Sequence, residues 1–178
     1  MSFKKLRENI EKSEEFKKFK KENPKAILYS VFFMLRQAFG NLVIETQQLD
    51  YWIGQDKVAT FLFDENEKVQ LKIDKVEPVK EGEKREFVKL EDTVKLDVDD
   101  LQEIIKKELG KSKVGIEEVS KVIAVLQKTN GEQVWNITCI VGLTLYRIHV
   151  DEDKKVLDEK KESILSMMKV EKGKGKKK

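Results

Sequence analysis

Two stretches of the chain carry the same phrase. "FLFDENEKV" spans residues 61–69 and "IHVDEDKKV" spans 148–156, so the second is the first displaced by 87 positions. Each reads as the end of an alternating apolar strand, an acidic turn, then a lysine and a valine. A chain that repeats a unit at a fixed period is constrained to build one local structure twice. The displacement reaches beyond the phrase. Asn23 falls on Gly110, each at the end of an amphipathic stretch, and Ala59, Phe61 and Phe63 fall on Tyr146, Ile148 and Val150. The hairpin arms align only after a residue of slippage.

The elements follow from periodicity and punctuation. In "SEEFKKFKKEN" Ser13 caps a helix, Glu14 and Glu15 sit in its first turn, Phe16 and Phe19 share a face, and Asn23 with Pro24 ends it. "AILYSVFFMLRQAF" reads as a strand by its β-branched and aromatic content, although part of it also suits a buried helical turn. "VIETQQLDYWI" places Leu49, Tyr51 and Ile53 on one side, and "KVATFLF" places Ala59, Phe61 and Phe63 on one side. Residues 74–98 are polar, contain Pro78 and Gly82, and read as a connector with one short strand at "EFVKL". The pattern then restarts. "DDLQEIIKKELG" is a helix capped by Asp99 or Asp100, with Leu101, Ile104, Ile105 and Leu109 as its stripe. A hairpin turning at Asn130 and Gly131 follows, then "LTLYRIHV", then Lys154 and Lys155 leading out, and a closing helix around Ile164, Leu165, Met167 and Met168.

The expected fold class is α+β, a tandem repeat of a helix packed on an antiparallel β-sheet. The first repeat occupies residues 1–73, the connector 74–98 and the second repeat 99–168. A disordered, lysine-rich tail occupies 169–178. The 178 residues suit one ordinary domain or two small ones.

Composition narrows the setting. Charged residues make up 39%, the excess being Lys and Glu, a bias that marks proteins from hot environments. The single Cys139 excludes an internal disulfide and gives no sign of an oxidising compartment. The opening residues carry no apolar run of the kind an export signal needs. The longest apolar run, 26–35, is about half the roughly 20 residues that span a bilayer. A cytoplasmic protein without a transmembrane segment is expected. The charge is divided unevenly: residues 169–178 hold six lysines and one glutamate, so they carry +5 of a net +3 and leave the body at −2.

The second unit resembles the PepSY domain, a small module of the cystatin-like type. There a helix precedes a strand and a hairpin whose apolar arm leads to a "V-x-V-D-x-x-x-x-x-V" pattern. Here "DDLQEIIKKELG" stands in the helix position, and "WNITCIVGLTLYRIHVDEDKKV" ends in Val150, Asp151 and Val156. The resemblance covers residues 97–157 and, more weakly, 13–70. It implies a helix-on-sheet fold and a binding or regulatory role, with no catalytic residues to carry over. Two departures from the family are expected: no export signal is expected in the opening residues, and Lys154 and Lys155 stand where a glycine is usual near the end of the turn.

No residue cluster forms a catalytic or metal-binding signature. His149 is the sole histidine, and Cys139 is the only other soft ligand. Cys139 lies mid-strand and reads as a buried thiol rather than a nucleophile. The acidic turns lack the ligand spacing of a calcium loop, so Asp64 and Asp151 are expected to bond the local backbone. "GKSK" at Gly110 lacks the upstream glycine of a phosphate loop. Tyr51, Trp52, Trp135 and Tyr146 are expected in the core. No cofactor and no enzymatic activity are expected. The leading expectation is a module that binds a protein or peptide, with Asn136, Thr138, Arg147 and His149 on the sheet face as candidate contacts and an exposed sheet edge open to strand addition. The alternative is a nucleic-acid- or ribosome-associated protein anchored by Lys169, Lys172, Lys174, Lys176, Lys177 and Lys178.

Overall fold

The computed structural model describes residues 2–64, 66–76 and 86–174. Helices α1 (Phe3–Glu11) and α2 (Glu14–Glu22) lead into strands β1 (Ile27–Ala38), β2 (Asn41–Gly54), β3 (Lys57–Phe63) and β4 (Val69–Lys75). Helix α3 (Leu101–Lys111) then leads into β5 (Lys121–Thr129), β6 (Glu132–Val141), β7 (Thr144–Asp151) and β8 (Val156–Ser163), and α4 (Ile164–Lys174) follows. All eight strands form one antiparallel sheet in the order β4-β3-β2-β1-β5-β6-β7-β8. Each run of four is a meander, and the two meanders meet where β1 pairs with β5, with Val31 opposite Leu126, Phe33 opposite Ala124 and Leu35 opposite Val122. The expected connector therefore separates two runs of one sheet.

Helices α1, α2 and α3 pack on the same face. Phe3, Leu6 and Ile10 of α1, Phe16 and Phe19 of α2, and Leu101, Ile105 and Leu109 of α3 join one core with Val31, Phe33, Leu49, Phe61, Ala124, Trp135, Ile137 and Val150. Ser13 caps α2 by accepting from the Phe16 amide, as its sequence implies. Phe16 and Phe19 then meet Phe61 at ring separations of 5.3 and 5.0 Å. Trp135 is fully buried, its ring 6.0 Å from Phe33, and its indole Nε1 donates to the Leu96 carbonyl at 2.8 Å.

The two repeated phrases form the same turn, bond for bond. Asp64 Oδ1 accepts from the amides of Asn66 at 2.8 Å and Lys68 at 2.9 Å, and Asp151 Oδ1 accepts from Asp153 and Lys155, both at 2.9 Å. The Asp64 amide donates to the Lys68 carbonyl as the Asp151 amide does to Lys155. Glu67 and Lys154, 87 apart, take positive φ of 59° and 65°. Strands β3 and β7 begin 87 residues apart, as do β4 and β8. The slippage at the first hairpin is larger than expected: Gly40 and Gly131 are 91 apart, and β2, four residues longer than β6, absorbs the difference.

Several elements differ from the sequence expectation. Residues 3–11 form α1, whose apolar positions Phe3, Leu6 and Ile10 have helical spacing. Residues beyond Lys155 form β8 instead of leading out of the fold. "EFVKL" is not a strand; it makes a single sheet-like bond, from the Leu90 amide to the Leu28 carbonyl. The described part of the connector rounds the end of the sheet. Phe87 stacks on Trp52 on one face, whereas Leu90, Leu96 and Val98 are buried in the core on the other. The tail expected to be disordered from residue 169 is helical as far as Lys174, because α4 continues through it. The exposed flanks of the sheet are charged: Lys72, Asp74 and Lys75 on β4, and Asp158, Glu159, Lys160, Lys161 and Glu162 on β8. Such residues discourage pairing with another strand.

The Trp135 anchor gives a direct test of this packing. Trp135→Phe keeps an aromatic ring but orphans the Leu96 carbonyl, an expected loss of about 1–3 kcal/mol. The melting temperature followed by circular dichroism is expected to fall by roughly 2–4 °C per kcal/mol for a chain of this size.

Candidate functional site

Alternation leaves the face opposite the helices with its own set of side chains. Across the sheet one row reads Gln70, Leu62, Gln48, Phe32, Val125, Asn136, His149 and Asp158. The next row reads Lys72, Thr60, Asp50, Ser30, Gln127, Val134 and Asp151. A groove of about 660 Å³ lies on this outer face, over β1, β2 and β5. Tyr29, Phe32, Phe87 and Val125 give it apolar walls, and Asp50, Ser30, Gln127 and Glu86 give it polar ones.

Asp50 is the unusual member. Its side chain comes from the middle of β2, a position where aspartate is depleted because it neither packs well nor favours extended backbone. Only 8% of it is exposed. The Thr60 hydroxyl, directly opposite on β3, donates to Oδ1 at 2.7 Å, and the Gln48 side-chain amide approaches both carboxylate oxygens at 3.4 Å. Among the described residues, these partners are neutral. Burial pushes the Asp50 carboxyl above its ordinary range, and the bonds from Thr60 and Gln48 offset this only in part.

Aromatic rings stand beside it. Trp52, two residues along the same face of β2, stacks on Phe87 with ring centroids 5.5 Å apart and planes 11° off parallel. Tyr29 meets Phe87 edge-on at 4.9 Å. The Trp52 indole Nε1 is buried and has no hydrogen-bond partner among the described residues. Tyr51 and Trp135 take the core positions expected of them, whereas Trp52 lies on the outer face and Tyr146 is half-buried. A signal for the groove was present in "QLDYW": the alternation that sends Leu49 and Tyr51 inward sends Asp50 and Trp52 to the opposite face together.

The four residues expected on the sheet face do share the outer face, as two cross-strand pairs on β6 and β7: Asn136 opposite His149, and Thr138 opposite Arg147. Their neighbours are on β8. His149 Nδ1 is 3.8 Å from Asp158, and Arg147 Nη2 is 3.2 Å from Glu162, which Lys160 also holds at 2.5 Å. The Lys160 bond, with the nearby Arg147 charge, lowers the Glu162 carboxyl below its ordinary range. This patch combines an ion-paired arginine, a histidine beside Asp158 and two neutral side chains, and it does not line the Asp50 groove. Cys139 is fully buried on the helix face, where burial pushes its thiol up to about 12 and keeps it protonated. Among the described residues no three His, Cys, Asp or Glu side chains are grouped to hold a metal ion. No described helix is long and apolar enough to cross a membrane. Of the expected tail contacts, Lys169 is exposed on α4, Lys172 and Lys174 lie within α4, and Lys176, Lys177 and Lys178 lie outside the described residues.

No family model matches the chain, and no curated protein matches it. Among solved structures, a protein described as a "putative lipoprotein" from Clostridium difficile 630 is similar over 83% of this chain and 90% of its own length, with 17% sequence identity and a TM-score of 0.49.

Asp50 carries a pH-dependent cost. Its folded pKa lies above the ordinary value of 3.8, so its stabilising contribution is complete below that pH and is lost as pH rises through the folded value. Asp50→Asn removes the charge and keeps the shape. Its melting temperature is expected to match the wild type at pH 3.5 or below and to exceed it by a few degrees at pH 7, on a scale of roughly 2–4 °C per kcal/mol. Thermal unfolding of both proteins across this range measures the gap; a gap that does not change with pH would contradict the assignment.

Proposed function

We propose that this chain is a non-enzymatic module that binds a protein or peptide partner on the outer face of its sheet, beside Asp50. The observation that carries this reading is the groove itself. A buried carboxylate whose partners among the described residues are neutral costs stability, and such groups concentrate where binding requires them. Rigid strands position the groove, and its mixture of rings and convergent polar groups is typical of ligand sites. The charged flanks of β4 and β8 favour this face over strand addition at an edge. The binding role agrees with what a PepSY-like resemblance implies. The matching turns of Asp64 and Asp151 support a duplicated helix-plus-meander unit, with the two copies joined in one sheet. The free, buried Cys139 suits a cytoplasmic setting.

Titrating the ¹⁵N-labelled full chain with a set of unstructured peptides of varied composition tests the reading. Amide shifts are expected at β1, β2, β5 and residues 86–88. Shifts confined to β4 or β8 would move the partner to an edge. No shift with any peptide at about 1 mM, a range that captures even weak binding, would overturn the proposal.

A second reading, nucleic-acid binding, rests on the lysines of residues 169–178. It requires that RNA binding at roughly 50 mM salt weaken strongly by roughly 200 mM and disappear in a chain ending at Met168. Retention of RNA binding in the shortened chain would exclude those lysines as the anchor.

A further inference from the structure

The outer-face groove has a charge and a wall chemistry that specify what it holds. Its lining carries two acids, Asp50 and Glu86, against one cation, Lys128. Lys128 Nζ is bonded to Glu91 at 2.8 Å, so its charge is compensated. Lys72, the cation in the same row as Asp50, lies on β4 beyond Thr60 and does not line the groove. Among the described residues, the groove lining therefore holds two acids against one cation that is already paired. Its walls are the rings of Tyr29, Phe32 and Phe87, with Trp52 stacked behind Phe87. A carboxylate that is more than nine-tenths buried, next to aromatic rings, is complementary to an organic cation. The carboxylate supplies the counter-charge, and the ring faces attract the cation and shelter its apolar stem.

We propose that the groove is a specificity pocket for a lysine or arginine side chain of the bound peptide, with Asp50 as the ion-pair acceptor and Tyr29, Phe32 and Phe87 as the aromatic wall. This deepens the peptide-binding reading and rests on it. A neutral or acidic side chain fits less well: an apolar one leaves the buried carboxylate unpaired, and an acidic one meets like charge. Thr60 and Gln48 donate to Asp50 and orient its carboxylate, and neither brings a positive charge to it. The volume of about 660 Å³ also leaves space for the residues flanking that side chain.

Trp52 provides the reporter. Its indole resonance lies beside the groove, whereas Trp135, whose indole donates to Leu96 in the core, serves as an internal reference. The ¹⁵N-labelled full chain is titrated with N-acetyl-lysine, N-acetyl-arginine and N-acetyl-norleucine methylamides. The expected result is a saturable shift of the Trp52 indole and a still Trp135 indole. Affinity for the lysine or arginine probe is expected to be about ten-fold above that for norleucine. In Asp50→Asn this preference disappears while the rest of the spectrum stays in place. Phe87→Leu, a surface-side substitution that leaves Asp50 intact, is expected to weaken the cationic probes several-fold. Equal binding of norleucine, an unchanged preference in Asp50→Asn, or no Trp52 shift with any probe would overturn the cation pocket. In each of these cases the peptide titration still decides the broader reading, because peptides that shift the outer face without a basic residue would preserve it.

Discussion

The pairing of β1 with β5 holds the rest of the structure together. The two four-stranded meanders bury one face in a shared core beneath α1, α2 and α3, and neither central strand is an edge, because each closes the other's open row of amides and carbonyls. Seven register pairs run along this seam, and Val31, Phe33 and Leu35 meet Val122, Ala124 and Leu126 on the core side. The same pairing places Phe32 against Val125 and Ser30 against Gln127 on the outer face. The floor of the groove is thus made by the junction of the two halves, and neither half supplies it alone.

The connector completes what the seam begins. From the outer face, where Phe87 lies on Trp52, it turns over the end of the sheet to bury Leu90, Leu96 and Val98 on the helix side. Gln133 holds it in passing, accepting from the Glu91 amide at 2.6 Å and donating to the Thr93 carbonyl at 3.3 Å. Phe87 is held by Trp52 and Tyr29 beside the groove, and the chain that carries it is anchored further on by Leu90, Leu96 and Val98 in the core. Asp50 is held locally by Thr60 and Gln48. The wall thus leans on the same strands, β1 and β2, that form the floor.

Much of this architecture was legible in the sequence. Period and punctuation located α2, α3 and the strands β1 to β3 and β5 to β7, since each has a strong apolar alternation or stripe. The repeated turn was legible because an aspartate followed by a fixed spacing imposes its own backbone bonds. The flanking strands β4 and β8 are not among the expected elements, for different reasons: β8 carries polar residues on both sides from Asp158 onward and loses the alternation, whereas β4 keeps it, with Val69, Leu71 and Ile73 against Gln70, Lys72 and Asp74, in a short stretch that follows directly on the acidic turn. Helix α1 was masked by its many charges, although Phe3, Leu6 and Ile10 have the right spacing. The groove depended on pairing across distant strands. Asp50 and Trp52 could be assigned to one face from alternation alone, but the arrival of Phe87 from the connector depends on tertiary packing that no local pattern records. The four polar residues on β6 and β7 were placed on the correct face for the same reason of alternation, while the groove formed elsewhere on it.

The seam also sets an order of events. Within each meander, neighbouring strands are joined by short turns, so their contacts close small loops quickly. The β1–β5 pairs, such as Phe32 with Val125, lie about 90 residues apart along the chain. Closing so long a loop carries a larger entropic cost before any contact compensates for it, and topology of this kind slows folding. Until that seam closes, the central strands β1 and β5 remain exposed as unpaired apolar templates. The abundant lysine and glutamate on the surrounding surface then acts kinetically, keeping half-assembled chains apart while the two meanders search for one another.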